Sequence, residues 1–509
     1  MLTKPEFNSI SEKPKEKCAV FGVICDDVNY SITQSLYTGL ISLQHRGQES
    51  SGISLLKTGG DIFTYKRMGL VSKVLDKRHL FKYWGNIGIG HNRYATTGSE
   101  EFNSKDFIQP YHFKNNRIEF SFGFNGTIAN YNEIQERMKE KGHIFVNDTD
   151  TEVVAHLIAS ISLNTDKWPE ILKRASERLD GSYSLVLLTS KGNIYAMRDP
   201  LGFKPLCIGK KTTKKRTFYY VASESCAIDT LGGELLRDVK PGEILHLNYK
   251  DGIVQDMVLP SNKTAVCQFE FVYFARPDSI IDGVSVAEAR LNMGRNLAKI
   301  DHRLEDPEFR KNAIVVPVPD SGRSAAVGYA NESNLPYLEG LMKNRYVWRT
   351  FIMPGQQKRR SAVREKLNPI KSVVDGKDII LIDDSIVRGN TMKEIIKLIK
   401  KAGAKSVNVR ISAPAVISAC YMGIDFPTTR ELIAGRALNK SGRDAYIERV
   451  RNIIGADSLM YQTVEGLEEA IGIETGLCEA CLTGNYPLKS LEELSRMEES
   501  FAKTRKKKL

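Results

Sequence analysis

The run KDIILIDDSIVRGNTMKEIIKLIKKAGA, residues 377–404, decides the fold of the C-terminal half of this chain. An apolar stretch ends in two adjacent acids, a short polar turn follows, and a helical pattern with one apolar face comes next. Similar apolar stretches, AIVVPVP at 313–319 and SVNVRIS at 406–412, lie on either side. This alternation predicts a parallel sheet of βαβ units. The two acids would then lie at the carboxyl edge of the sheet, where parallel sheets bind substrates.

The N-terminal half has a different sequence pattern. Short β-rich runs broken by Gly and Asn recur from Cys18 to about residue 258, and they predict layered sheets with helices outside. Because 509 residues exceed what one hydrophobic core usually organises, we expect two domains. The predicted division is a leader at 1–17, a first domain at 18–258, a second domain at 259–470 that opens with a helical connection, and a C-terminal segment at 471–509.

Composition narrows the class of protein. Hydrophobic residues make up 41% of the chain and charged residues 26%, and no apolar run approaches the roughly 18 residues of a membrane helix. The first 17 residues lack an apolar core and contain three glutamates, so neither a secretory signal nor a transit peptide is expected. We therefore predict a cytoplasmic protein without a membrane partner. The net charge of +12 would suit a nucleic-acid binder or an enzyme for polyphosphate substrates.

Cys18 is the candidate nucleophile of the first domain. A thiol attacks an amide as the thiolate, and an N-terminal cysteine carries its own base, because an α-amino group has a pKa of roughly 8. Cys18 gains that amine only if residues 1–17 are removed. Five motifs follow, and each alone is compatible with a strand, a turn or a hairpin. They are SLQHRGQESSGI at 42–53, HNRYATTGS at 91–99, GFNGTIANYNE at 123–133, TDTEVVAHLI at 149–158 and RDPLGFKPL at 198–206.

In order and spacing these motifs resemble the N-terminal-nucleophile glutaminase domain of class II amidotransferases, an αββα sandwich. Arg93 and Asp150 have the opposite charges that the two ends of free glutamine require. The Asn125 side chain and the Gly126 backbone N–H suit an oxyanion hole. The resemblance adds two further glutamine-binding residues, Arg46, which lies beside the thiol in the family, and Thr96. Two positions depart from the family pattern, which often has glycine at Ala19 and usually arginine at Lys204.

The acidic turn of the second domain resembles the phosphoribosylpyrophosphate signature of type I phosphoribosyltransferases, whose parallel sheet is flanked by helices. The acids would bind ribose hydroxyls and Mg²⁺, and the following turn would hold the 5′-phosphate at a helix N-terminus. A Walker-B-like acidic pair is the alternative, but the chain lacks a GxxxxGK[ST] partner. Asn390 stands where threonine is common. The residues assigned to this substrate are Asp383, Asp384, Ser385, Arg388, Gly389 and Thr391.

Two other segments complete the predicted second site. Ser321, in VPVPDSGRSAAVGYA, matches the third magnesium position of the family, beside Asp383 and Asp384. The segment at 343–366 has eight Lys or Arg against one acid, which predicts a lid over pyrophosphate. Arg345 and Arg349 of this lid are expected to stabilise the leaving group. A nucleic-acid patch is the alternative interpretation of the same charge.

Together the halves resemble the glutamine phosphoribosylpyrophosphate amidotransferases, from Cys18 to about residue 487. The resemblance implies that glutamine, phosphoribosylpyrophosphate and water give 5-phosphoribosylamine, glutamate and pyrophosphate, the first step of purine synthesis, with ammonia passing between the sites. It also implies a homo-oligomer, purine nucleotide feedback inhibitors and no nucleic-acid partner. The rival hypotheses are an amidotransferase with another ammonia acceptor, as in hexosamine or asparagine synthetases, and a non-catalytic regulatory protein.

The cysteines near the C-terminus form a separate motif. CEAC at 478–481 suits a redox pair, half a zinc site or an iron–sulfur ligand pair. Two further cysteines fall where the cluster-bearing branch of the family has its other ligands, so the resemblance implies a structural [4Fe–4S] cluster held by Cys267, Cys420, Cys478 and Cys481. Zinc and reduced buried thiols are the alternatives. The cysteines without a match, expected in the core, are Cys25, Cys207 and Cys226.

Overall fold

The computed structural model describes most of the chain outside its two ends. The residues described are 18–94, 107–147, 149–259, 263–344, 367–424, 426, 428–442, 445–473, 476–488 and 490–491. Every structural statement below concerns these residues.

The first domain is built on two antiparallel sheets that pack face to face. A seven-stranded sheet has the order β11-β9-β10-β1-β4-β2-β3, and a six-stranded sheet has the order β13-β12-β8-β7-β6-β5. The strands are β1 (Ala19–Cys25), β2 (Ser50–Leu56), β3 (Ile62–Met68), β4 (Ile87–Arg93), β5 (Tyr111–Lys114), β6 (Glu119–Ile128), β7 (Gly181–Thr189), β8 (Ile194–Arg198), β9 (Cys207–Thr212), β10 (Thr217–Ala222), β11 (Glu234–Asp238), β12 (Glu243–Asn248) and β13 (Gly252–Val258).

Helices cover the outer faces of both sheets. They are α1 (Thr33–Ser42), α2 (Val71–Val74), α3 (Tyr131–Glu140), α4 (Asp150–Ile161), α5 (Trp168–Ser176) and α6 (Cys226–Thr230), with a 3₁₀ turn at Lys77–Lys82. The sequence of strand β1 is apolar throughout because both faces of the strand are buried. Val20 and Ile24 pack between the sheets, whereas Phe21 and Val23 pack under the helices. The predicted αββα sandwich is therefore confirmed. The three unmatched cysteines lie in its outer core, as predicted.

The second domain contains a parallel four-stranded sheet in the order β17-β20-β21-β22. Its strands, with the short pairs around them, are β14 (Val266–Cys267), β15 (Ile280–Ile281), β16 (Val284–Ser285), β17 (Ala313–Pro317), β18 (Leu341–Lys343), β19 (Leu367–Pro369), β20 (Asp378–Asp383), β21 (Ser406–Ile411), β22 (Ser458–Tyr461) and β23 (Leu477–Cys478). Ile379 and Leu381 of β20 face one core and Ile380 and Ile382 the other, so the strand is buried on both sides.

The helices of this domain follow the alternation that the sequence predicts. They are α7 (Val286–Lys299), α8 (Pro307–Asn312), α9 (Arg323–Ser333), α10 (Lys371–Val374), α11 (Asn390–Lys401), α12 (Ile433–Ser441), α13 (Tyr446–Ile454), α14 (Val464–Ile471) and α15 (Ala480–Thr483), with a π-helical turn at Glu270–Phe274 and a 3₁₀ turn at His302–Glu305. The connection at 259–311 is only partly helical, because β14, β15 and β16 lie within it. Across the described residues, no helix is both long and apolar enough to cross a bilayer.

Helices α7 and α9 cross at two glycines. A Cβ on Gly294 would lie 1.9 Å from the Ala325 carbonyl oxygen, and a Cβ on Gly328 would lie 2.0 Å from the Leu291 carbonyl oxygen. Each glycine thus lets the opposite backbone approach more closely than any other residue would allow. This crossing fastens the connection to the parallel sheet domain.

Gly294→Ala should lower the free energy of unfolding, although alanine is the better helix former by about 1 kcal/mol. The new methyl group would meet backbone that cannot turn aside, and overpacking of this kind costs about 1–3 kcal/mol or more. Denaturant unfolding would measure the change. Lys299→Ala, an exposed change in the same helix, should shift stability by less than about 0.5 kcal/mol. An unchanged Gly294→Ala protein would contradict the close crossing.

Candidate active sites

Cys18 lies at the edge where strands β1 and β4 meet. Ala19 is paired with Asn92, so the antiparallel register leads from Cys18 towards Arg93, the last residue of β4. The thiol-bearing residue is partly exposed, whereas the strand behind it is buried. A ligand that contacts Arg93 would therefore lie close to Cys18.

Arg46 holds the backbone of Cys18. Its Nε donates a hydrogen bond of 3.1 Å to the Cys18 carbonyl oxygen, and both its Nη atoms donate to the Glu270 carboxylate, at 2.9 and 2.8 Å. Nη1 also donates to Glu224 at 2.5 Å, and the side chain of Arg46 is fully buried. The predicted contact of Arg46 with glutamine does not fit this geometry, because the guanidinium is enclosed by its partners. Its position suits a role in orienting Cys18.

The two carboxylates around Arg46 were not predicted from the sequence. Glu224 also accepts hydrogen bonds from the Arg276 backbone N–H and the Ser279 hydroxyl, at 2.9 and 2.8 Å. Burial would raise the pKa of Glu224, but the charges of His45 and Arg46 outweigh it and hold that pKa well below its usual value. Glu270 lies in the apolar run VCQFEFVYF. A single acid inside such a run is the one feature of the sequence that could have indicated a buried, functional carboxylate.

Asn125 and Gly126 lie inside strand β6, not in the hairpin turn that was the alternative. Asn125 is 2% exposed, and its Nδ2 has no hydrogen-bond acceptor among the described residues. Gly126 has φ +158°, and a Cβ there would lie 1.9 Å from the Ser182 carbonyl oxygen. His91 of β4 bonds the Phe124 carbonyl through Nε2 at 3.1 Å, which joins this strand to the Arg93 strand. A buried amide donor without an acceptor is what an oxyanion hole offers.

Asp150 and Arg93 are close enough to interact electrostatically. Burial raises the pKa of Asp150 to about 6, and backbone N–H groups, including that of Ile128 at 3.4 Å, and the charge of Arg93 oppose the increase. Arg93 Nη1 donates to Glu49 at 2.5 Å, and its guanidinium lies 5.1 Å from the Phe107 ring. Opposite charges are therefore available near each other at the predicted glutamine site.

Glutamine affinity should fall as the pH drops below about 6, because only the ionised Asp150 attracts the substrate ammonium group. With a pKa of about 6 for the free protein, the dissociation constant should increase up to about tenfold per pH unit below that value and stay constant above it. Calorimetry on Cys18→Ser protein would measure binding without hydrolysis. Asp150→Asn should bind weakly at every pH. A dissociation constant that does not change between pH 5 and 7 would contradict this role.

The acidic turn of the second domain follows β20. The Asp384 backbone N–H donates to Asp383 Oδ1 at 3.0 Å, and the Ser385 hydroxyl donates to Asp384 Oδ1 at 2.6 Å. Gly389, at φ +85°, ends the turn, and helix α11 begins at the next residue. A Cβ on Gly389 would lie 2.5 Å from Ile433 Cδ1. The turn thus ends at a helix N-terminus, which favours bound anions.

Ser321 lies in a loop that packs against the end of β20. The Val318 backbone N–H donates to the Ile382 carbonyl at 2.8 Å, and a Cβ on Gly322 would lie 2.4 Å from the same oxygen. The loop therefore lies next to Asp383. Carboxylates and a hydroxyl are the hard oxygen donors that Mg²⁺ prefers, usually together with substrate oxygens. No three His, Cys, Asp or Glu side chains form a ready metal site within the described ranges, so phosphate oxygens would have to complete the set.

Arg388 differs from the other residues of the turn because it is already paired. Its Nη2 donates to Glu431 at 3.0 Å, and its side chain is 10% exposed. A phosphate contact would have to compete with this ion pair. Three predicted site residues lie outside the described residues, and these are Thr96, Arg345 and Arg349.

Four thiols from three distant segments line one cavity. Cys267 and Cys478 are direct neighbours in the parallel pair β14 and β23, and Cys420 and Cys481 complete the lining. Gln268 Nε2 donates to Cys481 Sγ at 3.5 Å. Burial raises the pKa of Cys478 to about 12 and holds those of Cys267 and Cys481 well above the usual thiol value, and the neighbouring thiols add to this. Four thiols are the donor type that thiolate-bound metal groups use, and metal binding would release their protons, although no three of these side chains are already grouped as a ready metal site in the described structure.

Comparison with known proteins shows the family. Residues 91–230 match the glutamine amidotransferase domain and residues 289–420 the phosphoribosyl transferase domain. The amidophosphoribosyltransferase of Methanothermobacter thermautotrophicus is 45% identical over 95% of this chain and 97% of its own length. The chain belongs to the amidophosphoribosyltransferase family. The Bacillus subtilis member is 40% identical over 93% of this chain and 94% of its own.

Solved structures of amidophosphoribosyltransferases agree with this. The glutamine phosphoribosylpyrophosphate amidotransferase from B. subtilis, complexed with ADP and GMP, has a TM-score of 0.79 and 38% identity, and the match covers 92% of this chain and 97% of that one. The predicted fold, enzyme class and reaction are confirmed. This chain is a glycosyltransferase with glutamine amidotransferase activity, at the first step of purine nucleotide biosynthesis. The phosphoribosyltransferase domain excludes the rival with another ammonia acceptor.

Proposed function

We propose that Cys18, as a free N-terminus, hydrolyses glutamine and supplies ammonia to a phosphoribosyl site at Asp383 and Asp384. The observation that carries this proposal is the unpaired, buried Nδ2 of Asn125 beside Gly126. The α-amino group of Cys18 takes the thiol proton, and the thiolate attacks the side-chain amide. The resulting oxyanion accepts hydrogen bonds from Asn125 Nδ2 and the Gly126 backbone N–H. When it collapses, the C–N bond breaks and the protonated α-amino group gives its proton to the departing ammonia. Water then hydrolyses the thioester, which releases glutamate and restores the thiol.

The substrate's own charges orient it for this attack. Asp150 binds the α-ammonium group and Arg93 the α-carboxylate, for which Arg93 shares its guanidinium between the substrate and Glu49. Arg46 keeps the carbonyl of Cys18 in place, so the amine and thiol of that residue stay aligned with the amide carbon. Such alignment of reacting atoms is worth several orders of magnitude in rate.

In the second site, the ribose hydroxyls donate to Asp383 and Asp384, and the turn from Ser385 to Thr391 binds the 5′-phosphate. Magnesium, held by the two acids and Ser321, would neutralise charge on the departing pyrophosphate. Arg345 and Arg349 add further positive charge that stabilises the departing pyrophosphate. Ammonia then bonds to the anomeric carbon as the bond to pyrophosphate breaks.

The two domains contact each other close to the strand of the predicted oxyanion hole. The hydroxyl of Ser182, in the strand beside Gly126, donates to the Met422 carbonyl at 2.7 Å. Strand β7, which pairs with the strand of the predicted oxyanion hole, is therefore hydrogen-bonded to the second domain.

Purine nucleotides and a second copy of the chain are the proposed partners. The relative from B. subtilis binds ADP and GMP, and another solved relative, at 38% identity and a TM-score of 0.80, is described as the allosteric regulatory enzyme of purine biosynthesis. We expect purine nucleotides to regulate this cytoplasmic, homo-oligomeric enzyme as well. Activity measured against a series of purine nucleotides would test this.

Intact-mass measurement tests the role of Cys18 directly. Fully active protein should begin at Cys18, with residues 1–17 removed, because an internal cysteine lacks the α-amino base. The expected mass therefore lacks the first 17 residues. A fully active sample that still begins with Met1 would contradict the mechanism.

The four-cysteine site is proposed to hold a structural [4Fe–4S] cluster. Protein prepared without oxygen should contain about four iron atoms per chain and absorb broadly in the visible range. Cys478→Ser should lose most of this iron, because one ligand is gone. Cys226→Ser, the same change in the core of the first domain, should keep it. Fully active wild-type protein without iron, prepared in the same way, would contradict the proposal.

A further inference from the structure

Glu270 binds the arginine that holds Cys18, and it does so from outside the first domain. It begins the π-helical turn Glu270–Phe274, within the connection at 259–311, and its side chain is fully buried. Its carboxylate accepts hydrogen bonds from Arg46 Nη1 and Nη2, at 2.9 and 2.8 Å. Arg46 Nε donates to the Cys18 carbonyl oxygen at 3.1 Å. Because a bidentate pair fixes the plane and direction of a guanidinium, Glu270 sets the direction in which Nε points.

The second carboxylate at Arg46, Glu224, is held by other groups as well. His45 Nε2 bonds it at 2.8 Å, and the Arg276 backbone N–H donates to it at 2.9 Å. Within the described part of the chain, by contrast, both hydrogen bonds to the Glu270 carboxylate come from Arg46. Without Glu270, one hydrogen bond to Glu224 would hold this end of the guanidinium, which could then rotate about it.

The turn that carries Glu270 is itself fixed by a buried arginine of α7. Arg290, which is 4% exposed, donates through Nε to the Phe271 carbonyl at 2.7 Å and through Nη2 to the Ala275 carbonyl at 2.9 Å. The Ala275 backbone N–H donates to the Glu270 carbonyl at 2.9 Å. Glu270 therefore reaches Arg46 from a supported backbone, as a group that orients another must.

The charges around Glu270 favour an ionised carboxylate. Burial would raise the pKa of Glu270, but Arg46 and Lys204 outweigh it and keep that pKa below its usual value. An ionised carboxylate accepts hydrogen bonds with both oxygens, whereas a glutamine amide in the same place would turn an NH₂ donor towards the guanidinium. Exchange of this one group therefore removes half of the bidentate pair without a change in side-chain length.

We propose that Glu270 is a positioning residue for glutamine hydrolysis, supplied by the connection to a site that the first domain otherwise builds. The proposal rests on the proposed function of Cys18. Glu270 fixes the direction of Arg46, and Arg46 fixes the Cys18 carbonyl, so the amine and thiol of Cys18 stay aligned with the substrate amide. Because Glu270 acts only through Arg46 and Cys18, its loss should lower turnover and leave glutamine binding in place.

Steady-state glutamate release by the full-length enzyme tests this role. Glu270→Gln should lower kcat about 10- to 100-fold, as expected for a small displacement of reacting atoms, with KM within about threefold of wild type. Glu270→Asp keeps both acceptor oxygens on a shorter stem, so its kcat should lie at least about threefold below wild type and above that of Glu270→Gln. Ammonia-dependent formation of 5-phosphoribosylamine should stay within about threefold in both variants.

Glu243→Gln is the matched control. Glu243, in strand β12, is also fully buried, and its carboxylate accepts a bidentate pair from Arg237 Nη1 and Nη2, at 2.7 and 2.8 Å. Both Glu→Gln variants should unfold at a lower temperature than wild type, because each leaves an arginine without its carboxylate. Glu243→Gln should nevertheless keep its glutaminase kcat within about threefold of wild type.

Wild-type kcat in Glu270→Gln would overturn the positioning role, and so would a change confined to KM or an equal loss of the ammonia-dependent rate. A similar kcat loss in Glu243→Gln would also overturn it, because the effect would then follow from any lost buried carboxylate. If Glu270→Gln does not fold, Glu270→Asp decides, and wild-type kcat in that variant overturns the role. Failure of the proposed function is separate, because Cys18→Ser would then keep its glutamine-dependent activity.

Discussion

Cys18→Ser should abolish glutamine-dependent formation of 5-phosphoribosylamine and leave the ammonia-dependent reaction unchanged. A serine hydroxyl is far less acidic than a thiol, so the α-amino group cannot generate a comparable nucleophile. We expect a loss of at least about 10³-fold in glutamine-dependent turnover. With ammonium salts in place of glutamine, the phosphoribosyl site receives its nucleophile from solution. Steady-state rates with each nitrogen source would measure both activities in one preparation.

The matched control is Cys25→Ser, at the other end of strand β1. Cys25 is fully buried in the core under the helices, and burial raises its pKa to about 11, so it has no part in the chemistry. Its substitution should reduce stability more than activity. Equal loss of both activities in folded Cys18→Ser protein would contradict two separable sites.

Gly126→Ala has the second-largest expected effect, and it follows from the backbone. The new Cβ would lie 1.9 Å from the Ser182 carbonyl oxygen, at a φ of +158°. The clash is with backbone of the neighbouring strand, so β6 must move and the predicted oxyanion donors move with it. Removing one such donor costs about 10²–10³ in turnover. We expect a glutaminase loss of at least about 100-fold, measured as glutamate release, with ammonia-dependent activity retained.

Gly123→Ala is a control on the same strand. The three atoms nearest to a Cβ there belong to the His91 side chain, at 3.1–3.5 Å, and none of them is backbone. Glutaminase activity should change by less than about tenfold. Similar losses in both variants would show that β6 tolerates no added methyl group, and the oxyanion assignment would lose its support.

Several features of the fold could be predicted from the sequence because they depend on local pattern. Strand β20 is buried on both faces, so it reads as an unbroken apolar run, and helix α11 shows its amphipathic period directly. The position of the acidic turn at the end of β20 could be predicted because the turn lies between the strand and the helix in the sequence. Asn125 and Gly126 were assigned from a motif, and both belong to the β-rich run FSFGFNG, which the structure places in strand β6.

The role of Arg46 could not be predicted in this way. The motif QHRGQES suggested that Arg46 lies beside the thiol. The structure shows that Arg46 bonds the Cys18 carbonyl oxygen and is not open to a substrate. Its guanidinium is enclosed by Glu224 and Glu270, which lie 178 and 224 residues away along the chain. No local period relates residues at such separations. Their meeting depends on how the first domain packs against the connection.

The sequence by itself therefore determined two domains, their order, the enzyme family and most candidate site residues, because periodicity and motif spacing are properties of neighbouring residues. Only the tertiary structure decided which charges are paired. It enclosed Arg46 between two carboxylates and brought four cysteines from three segments to one cavity. The physical reason is burial, because the state of a buried charge or thiol depends on which distant groups replace the water around it.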